Sequence, residues 1–189
     1  MVKQAIYHAT TASIWKKIRD NGFKIPENDW ARFYVGNIKK KPGSLGYGVY
    51  GFLDDPGLAT AFISKTTNLK DYAIIKMTIE VDDERVLNFV DSLDDMKLFR
   101  WFLLQTKLQR RIERFGKLYH NSFKQHSLDG ALLEYFIMVL SKGGYLSEIN
   151  CVRCATSTDL YKGIHLFIPN GIEYCIRDKD VIITYEMEN

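Results

Sequence analysis

The ten residues Tyr72 to Val81, YAIIKMTIEV, constrain the fold most. A run this rich in β-branched and apolar residues reads as a strand in the core of a sheet, with a shorter strand near Val86 to Phe89 behind it. Further strand signals sit at the two ends of the chain: residues 4 to 9 and Gly48 to Phe52 on one side, and Glu148 to Ala155, Ile164 to Ile168, Ile172 to Arg177 and Val181 to Glu186 on the other. Between them lie segments with helical spacing. Ser13 to Asn21 carries Ile14, Trp15 and Ile18 and stops at Gly22. Asp54 or Asp55 followed by Pro56 marks a helix start running to about Lys65, because Asp caps and Pro suits the first turn. From Leu93 to about Ser122, Leu104, Leu108, Ile112, Phe115 and Tyr119 recur at three and four, with Lys107, Arg110, Arg111 and Arg114 on another face and Gly116 as a candidate break. Leu128 to Lys142 forms the last helix, capped by Asp129 and closed by Gly143-Gly144. Strands at both ends with helices between, and no regular βαβ alternation, predict a mixed α+β domain.

With 189 residues and 46% hydrophobic content, the chain is sized for one domain spanning 1–189 with a helical insertion near 92–145. A net charge of +3, with 26% charged residues of both signs, permits an anionic partner without demanding one. The opening MVKQAIYHATTASIW lacks a signal-peptide core, and no stretch reaches the roughly 18 apolar residues of a spanning helix, so no membrane partner and a cytoplasmic location are expected. Cys151, Cys154 and Cys175 read as reduced thiols. Cys151-Val152-Arg153-Cys154 looks like half a zinc knuckle, but there is no second pair, and residues three apart on a strand face opposite sides, so no metal is expected. No P-loop pattern and no G-x-G-x-x-G in a βαβ setting is present.

Three short segments carry chemistry. Tyr7-His8-Ala9-Thr10 closes the first strand; Leu45-Gly46-Tyr47-Gly48-Val49-Tyr50 precedes Asp54-Asp55 and a helix containing Ala59 and Phe62; Gly171-Ile172-Glu173-Tyr174-Cys175-Ile176-Arg177-Asp178 lies near the end. In that order they resemble the Y-H-G-[ST], G-x-G-[IV]-Y-[FL] and N-E-Y-x-[VI]-x-[DN] elements of the H-Y-E ADP-ribosyltransferases, the diphtheria-toxin and poly(ADP-ribose) polymerase branch. The resemblance covers the first 60 or so residues and the last 20 or so; Leu93 to Ser147 has no assigned counterpart.

The resemblance implies a fold of two facing β-sheets around an NAD cleft with flanking helices, and NAD⁺ as co-substrate. It implies that His8 holds the nicotinamide ribose, that the Ala9 backbone grips the carboxamide with Thr10 beside it, and that Tyr50 stacks on the ring with Tyr47 nearby. Ala9 stands where the family has Gly, which a backbone contact tolerates. Ala61 or Phe62 would complete the aromatic sandwich; a cationic ring over an aromatic face gains about 0.5 to 2 kcal/mol. Glu173 would stabilise the oxocarbenium ion formed as nicotinamide leaves, a task for a fixed anion in a dry pocket. His8, Tyr50 and Glu173 are thus the catalytic candidates. A rival branch of the superfamily uses Ser-Thr-Ser and Glu-x-Glu. Ser157-Thr158 and Glu186-Met187-Glu188 match it poorly, since its carboxylates open a strand that continues past them.

Relatives of this size and layout are toxins of toxin–antitoxin or phage-defence systems, so the resemblance implies a mono-ADP-ribosyltransferase with a macromolecular acceptor and an antitoxin partner. The basic helix favours nucleic acid, RNA included, over protein. The alternatives are an NAD glycohydrolase using water as acceptor and an inactive binding module of the same fold. The lysine run Lys39 to Lys41, in a loop spanning Lys24 to Gly46, is placed for pyrophosphate contact.

Overall fold

The computed structural model describes residues 1–65, 71–122, 125–146, 148–159 and 167–188. The strand candidate Ile164 to Ile168 lies mostly outside them, and the described Phe167 and Ile168 are exposed and not in a strand.

The chain runs β1 (Val2–Thr11), α1 (Ala12–Asn21), α2 (Trp30–Phe33), β2 (Val49–Leu53), α3 (Pro56–Ser64), β3 (Tyr72–Val81), β4 (Val86–Phe89), α4 (Leu93–Leu103), α5 (Thr106–Leu118), β5 (Asn121–Ser122), β6 (Gln125–His126), α6 (Ser127–Lys142), β7 (Cys151–Thr156), β8 (Gly171–Ile176) and β9 (Ile182–Met187). The helix starts obey the local chemistry. Thr11 Oγ1 accepts from Ile14 N and caps α1, and Asp55 Oδ1 accepts from Leu58 N at 2.7 Å and caps α3, with Pro56 in the first turn.

The expected mixed α+β class is present. Its strands form a seven-stranded sheet in the order β4-β7-β8-β2-β1-β3-β9, antiparallel except for the parallel pair β4 and β7, and β5 and β6 form a separate small pair. The sequence expectation was two facing sheets; backbone hydrogen bonds instead link the strands into one. The link is narrow. β1 pairs with β3 over ten residues, but with β2 only at Ile6↔Leu53 and Tyr7↔Phe52. The wing β1-β3-β9 and the wing β4-β7-β8-β2 nevertheless share one core, in which Ile6, Ile75, Met77 and Ile79 cluster with Val49, Cys151, Tyr174 and Ile176. Tyr174 Oη donates to Gln4 Oε1 at 2.7 Å across that core.

A second core lies on the other face of β7 and β8, where α6 buries Leu133, Phe136 and Leu140 against Phe102 of α4 and Phe115 of α5. A third packs Tyr7 and Phe52 on Leu58, Ala59 and Ile63 of α3.

Three expectations change. The long helix breaks at Leu104-Gln105 instead of at Gly116, which sits inside α5, and Leu104 is exposed instead of packed because it caps α4. α2 interrupts the stretch expected as loop, since Asp29 Oδ1 caps it and Phe33 buries against Phe115 and Tyr119. α6 begins at Ser127 after His126, with Asp129 in its first turn instead of at the cap.

Candidate active site

The site begins where β1 and β2 part. Asp54 N donates to Ala5 O at 3.0 Å, which fixes the alternation along β1: odd-numbered residues direct their backbone polar groups toward β2 and even-numbered ones toward β3. A ladder continued from Tyr7↔Phe52 would next pair Ala9 with Tyr50, and that pair is absent from the register. His8 replaces it. Its Nδ1 lies 2.6 Å from the Tyr50 carbonyl oxygen, the acceptor that Ala9 N–H would otherwise use. Among the described residues, the Ala9 N–H and C=O therefore point into the gap between the strands without a β2 partner. Because the carbonyl can only accept, Nδ1 carries the proton and a neutral His8 presents Nε2 as an acceptor. Burial is the larger cause holding His8 below its usual pKa, and the Lys40 charge adds to it, although the bond to Tyr50 opposes both. The His8 ring meets Phe23 edge-on at 5.7 Å.

Glu173 and Tyr50 are held from one turn. Gly43 and Gly46 exchange backbone hydrogen bonds of 3.1 and 3.2 Å, closing a tight loop around Ser44 and Leu45. Tyr50 Oη donates to Gly46 O at 2.6 Å and accepts from Leu45 N at 2.9 Å. Ser44 Oγ donates to Glu173 Oε2 at 2.8 Å. Burial raises the pKa of Glu173, opposed by the Ser44 hydrogen bond and the nearby His126. Burial also pushes the Tyr50 phenol well above its usual range, so it stays protonated and its donation to Gly46 persists.

The turn is seated on α6. Glu134, 3% exposed, accepts from Tyr47 N at 2.7 Å and from both terminal nitrogens of Arg177, Nη2 at 3.1 Å. Gly46 has φ 94°, a left-handed conformation that L side chains rarely adopt, and a Cβ there would strike Glu134. A Cβ at Gly130 would fall on the Gly43 carbonyl oxygen.

Tyr50 and Glu173 face a cleft of about 500 Å³ whose walls also include Lys40, Ser44, Phe62, Lys65, Gln125, His126 and the segment from Thr156 to Asp159. That volume lies within the roughly 300 to 1,000 Å³ typical of small-molecule sites. Of the two helix positions open to the second aromatic role, Phe62 lines this cleft and Ala61 does not; Phe62 is 39% exposed and packs edge-on against Phe52. His8 stands behind the Tyr50 carbonyl, outside the lining of the cleft, and Ala9 lies next to it at the strand gap.

Two candidate residues are elsewhere. Thr10 is buried and pairs opposite Ala73. Tyr47 lies in the bend that precedes β2, and its ring does not enter the Tyr50 cleft; its Oη donates to Lys40 O, and it lines a larger open cleft of about 1200 Å³ with Phe23, Asn28, Glu134 and Arg177. The smaller cleft is the one that brings Glu173 and Tyr50 together. The sequence reading missed Ser44, His126, Glu134 and Arg177. Only the Gly43-x-x-Gly46 spacing pointed toward Ser44, and no local pattern pointed toward the pairing of Glu134 with Arg177, 43 positions apart.

Cys151 and Cys154 pack in different cores on opposite faces of β7, and all three cysteines are free thiols. Among the described residues no group of His, Cys, Asp and Glu is arranged to hold a metal, and no helix is long and apolar enough to cross a membrane. Comparison of the chain with protein-family models, curated proteins and solved structures returned no match in any of the three.

Proposed function

We propose that the protein is an NAD⁺-dependent mono-ADP-ribosyltransferase acting at the cleft beside the β1–β2 gap. The observation that carries this reading is the pairing pattern at that gap: a backbone N–H and C=O on Ala9 without a β2 partner, beside an imidazole of fixed tautomer bonded to the Tyr50 carbonyl, while the Tyr50 ring, Phe62 and Glu173 line the cleft. A primary carboxamide is complementary to an adjacent donor and acceptor. Nicotinamide would bind Ala9 through its amide, a ribose hydroxyl would donate to His8 Nε2, and Tyr50 and Phe62 would flank the ring. The bond between the ribose C1′ and the nicotinamide nitrogen breaks, its electron pair leaves with nicotinamide, and Glu173 stabilises the oxocarbenium ion. A nucleophile of the acceptor then bonds to C1′ and releases its proton.

Nucleic acid is the acceptor we favour. Lys107, Arg110, Arg114 and Lys117 are all exposed on α5 at positions i, i+3, i+7 and i+10, which places them along one side of the helix, and none is in an ion pair among the described residues. Arg111 is drawn out of this row onto the Tyr34 ring, 4.4 Å from its centre. A toxin or defence effector with an antitoxin partner is the setting this activity implies.

Incubation with labelled NAD⁺ and separate RNA, DNA and protein pools tests the assignment. Wild type should label nucleic acid and release nicotinamide, and Glu173→Gln should lower both by about 10²- to 10³-fold. Label on protein alone moves the acceptor class, free ADP-ribose with no labelled macromolecule identifies a glycohydrolase, and equal behaviour of wild type and variant refutes the proposal.

A further inference from the structure

We infer that Ser44 is a positioning residue for the Glu173 carboxylate, and that α6 sets its place by clamping the Gly43–Gly46 turn. The inference rests on the reading of Glu173 as the working carboxylate, but it concerns what holds that group and can be tested without turnover.

Three contacts converge on the turn. From inside the cleft, Ser44 Oγ donates to Glu173 Oε2 at 2.8 Å. From β2, the Tyr50 hydroxyl ties together Leu45 N and Gly46 O. From α6, Gly130 admits the Gly43 carbonyl at the helix surface, and Glu134 binds Tyr47 N while being gripped by Arg177, the residue after β8. β8 carries Glu173 at one end of this loop of contacts and is followed by Arg177 at the other. Carboxylate, hydroxyl and helix therefore form a closed ring, and displacing the turn alters the surroundings of Glu173 without touching it.

A carboxylate that is desolvated and accepts a hydrogen bond is sensitive to losing that bond, because the hydroxyl opposes burial. The other groups around Glu173 are Tyr50 and Cys175 from the same sheet face, Cys154 opposite it on β7, His126 from β6, and Lys40, Lys65 and Asp159 on the cleft walls. Removing Ser44 Oγ leaves all of these in place. The raised pKa of Glu173 should rise further.

The experiment follows the side-chain carboxyl carbon of Glu173 by ¹³C NMR against pH in the full chain, assigned by its loss in Glu173→Gln. Ser44→Ala should move the midpoint up by roughly one to two pH units, the size expected for a hydrogen bond to a charged group. Ser44→Thr, which keeps the hydroxyl, should restore it, and Gly130→Ala should move it in the same direction as Ser44→Ala from the helix side. An unchanged midpoint in Ser44→Ala overturns the inference, as does an equal shift in Ser44→Ala and Ser44→Thr. An unchanged midpoint in folded Gly130→Ala overturns the part assigned to α6. Nicotinamide release, measured on the same samples, reports separately on the activity: a Glu173 midpoint that moves as described in a protein that leaves NAD⁺ intact upholds the positioning role and refutes the transferase reading.

Discussion

The imidazole of His8 and the carbonyl of Tyr50 make a 2.6 Å hydrogen bond at the point where the β1–β2 ladder stops. A side chain has taken the place of a backbone partner, and the strands part with each of these two groups satisfied.

Burial of that imidazole sets its titration, and the bond opposes the shift. His8 should titrate below the usual value of about 6.5, because burial, aided by the Lys40 charge, outweighs the Tyr50 hydrogen bond that favours the charged form. As pH falls through the unfolded pKa, the unfolded chain takes up the proton first, so the stability His8 contributes is present above about 6.5 and is lost as pH falls through its depressed folded value. Imidazole ¹⁵N–¹H correlation spectra should show the Nδ1–H tautomer at neutral pH. A His8 midpoint above the usual value would contradict this.

Glu173 gives the opposite dependence. Its pKa is raised, so the folded state holds the proton more tightly than the unfolded one, and its contribution to stability is full below the unfolded carboxylate pKa and is lost as pH rises through the folded value. Glu173→Gln should therefore be at least as stable as wild type at pH 7 while losing transfer, with the gap narrowing toward pH 4. Thermal melts at the two pH values check it; a variant less stable than wild type at pH 7 would count against a carboxylate held under strain of burial.

The sequence disclosed the elements far better than their assembly. Tyr72–Val81 was evident because Ile75, Met77, Ile79 and Val81 alternate with Lys76, Thr78 and Glu80 behind a buried Ala73–Ile75 run, and the start of α3 because Asp55 and Pro56 have local reasons to be there. His8, Tyr50, Phe62 and Glu173 were legible as candidates through three spaced signatures. Two things were not. A single sheet and a pair of sheets present the same strands, and only the two residue pairs between β1 and β2 distinguish them. Tyr47 and Tyr50 look alike in sequence, but Tyr47 falls in the bend before β2 and Tyr50 inside the strand, and their rings line different clefts.

Phe62→Ala should raise KM for NAD⁺ by about 2- to 30-fold with a smaller change in kcat, the range spanned by a cation–π contact. Ala61→Gly, one position away and outside the cleft lining, should leave KM unchanged. Steady-state nicotinamide release measures both, and the reverse ranking would move the aromatic role off Phe62.

Glu134 and Arg177 are 3% and 16% exposed, so removing one strands the other. Glu134→Ala should cost about 3 to 5 kcal/mol, which for a chain of this size is a fall in Tm of roughly 6 to 20 °C. Differential scanning calorimetry measures it, and a loss under 1 °C would show the pair to be dispensable.

Replacing Lys107, Arg110, Arg114 and Lys117 by Gln should weaken nucleic-acid labelling and flatten its dependence on log salt by up to about 3, at roughly 0.7 per phosphate contact on a single strand. Nicotinamide release in the absence of acceptor should not change. Filter binding across a salt series gives the slope, and an unchanged slope would remove α5 from the acceptor contact.

The narrow seam between the wings gives the sheet a mechanical weak point. Two residue pairs carry the join, whereas ten hold β1 to β3. Amide exchange should be slowest along β3 and fastest at the seam, where sub-global opening costs least. A molecule wedged into the gap would set the angle between the wings, and protection would change on strands that never touch it. Occupancy could then be read from the backbone amides of β7 and β9 as a hinge reading, with no chemistry having taken place.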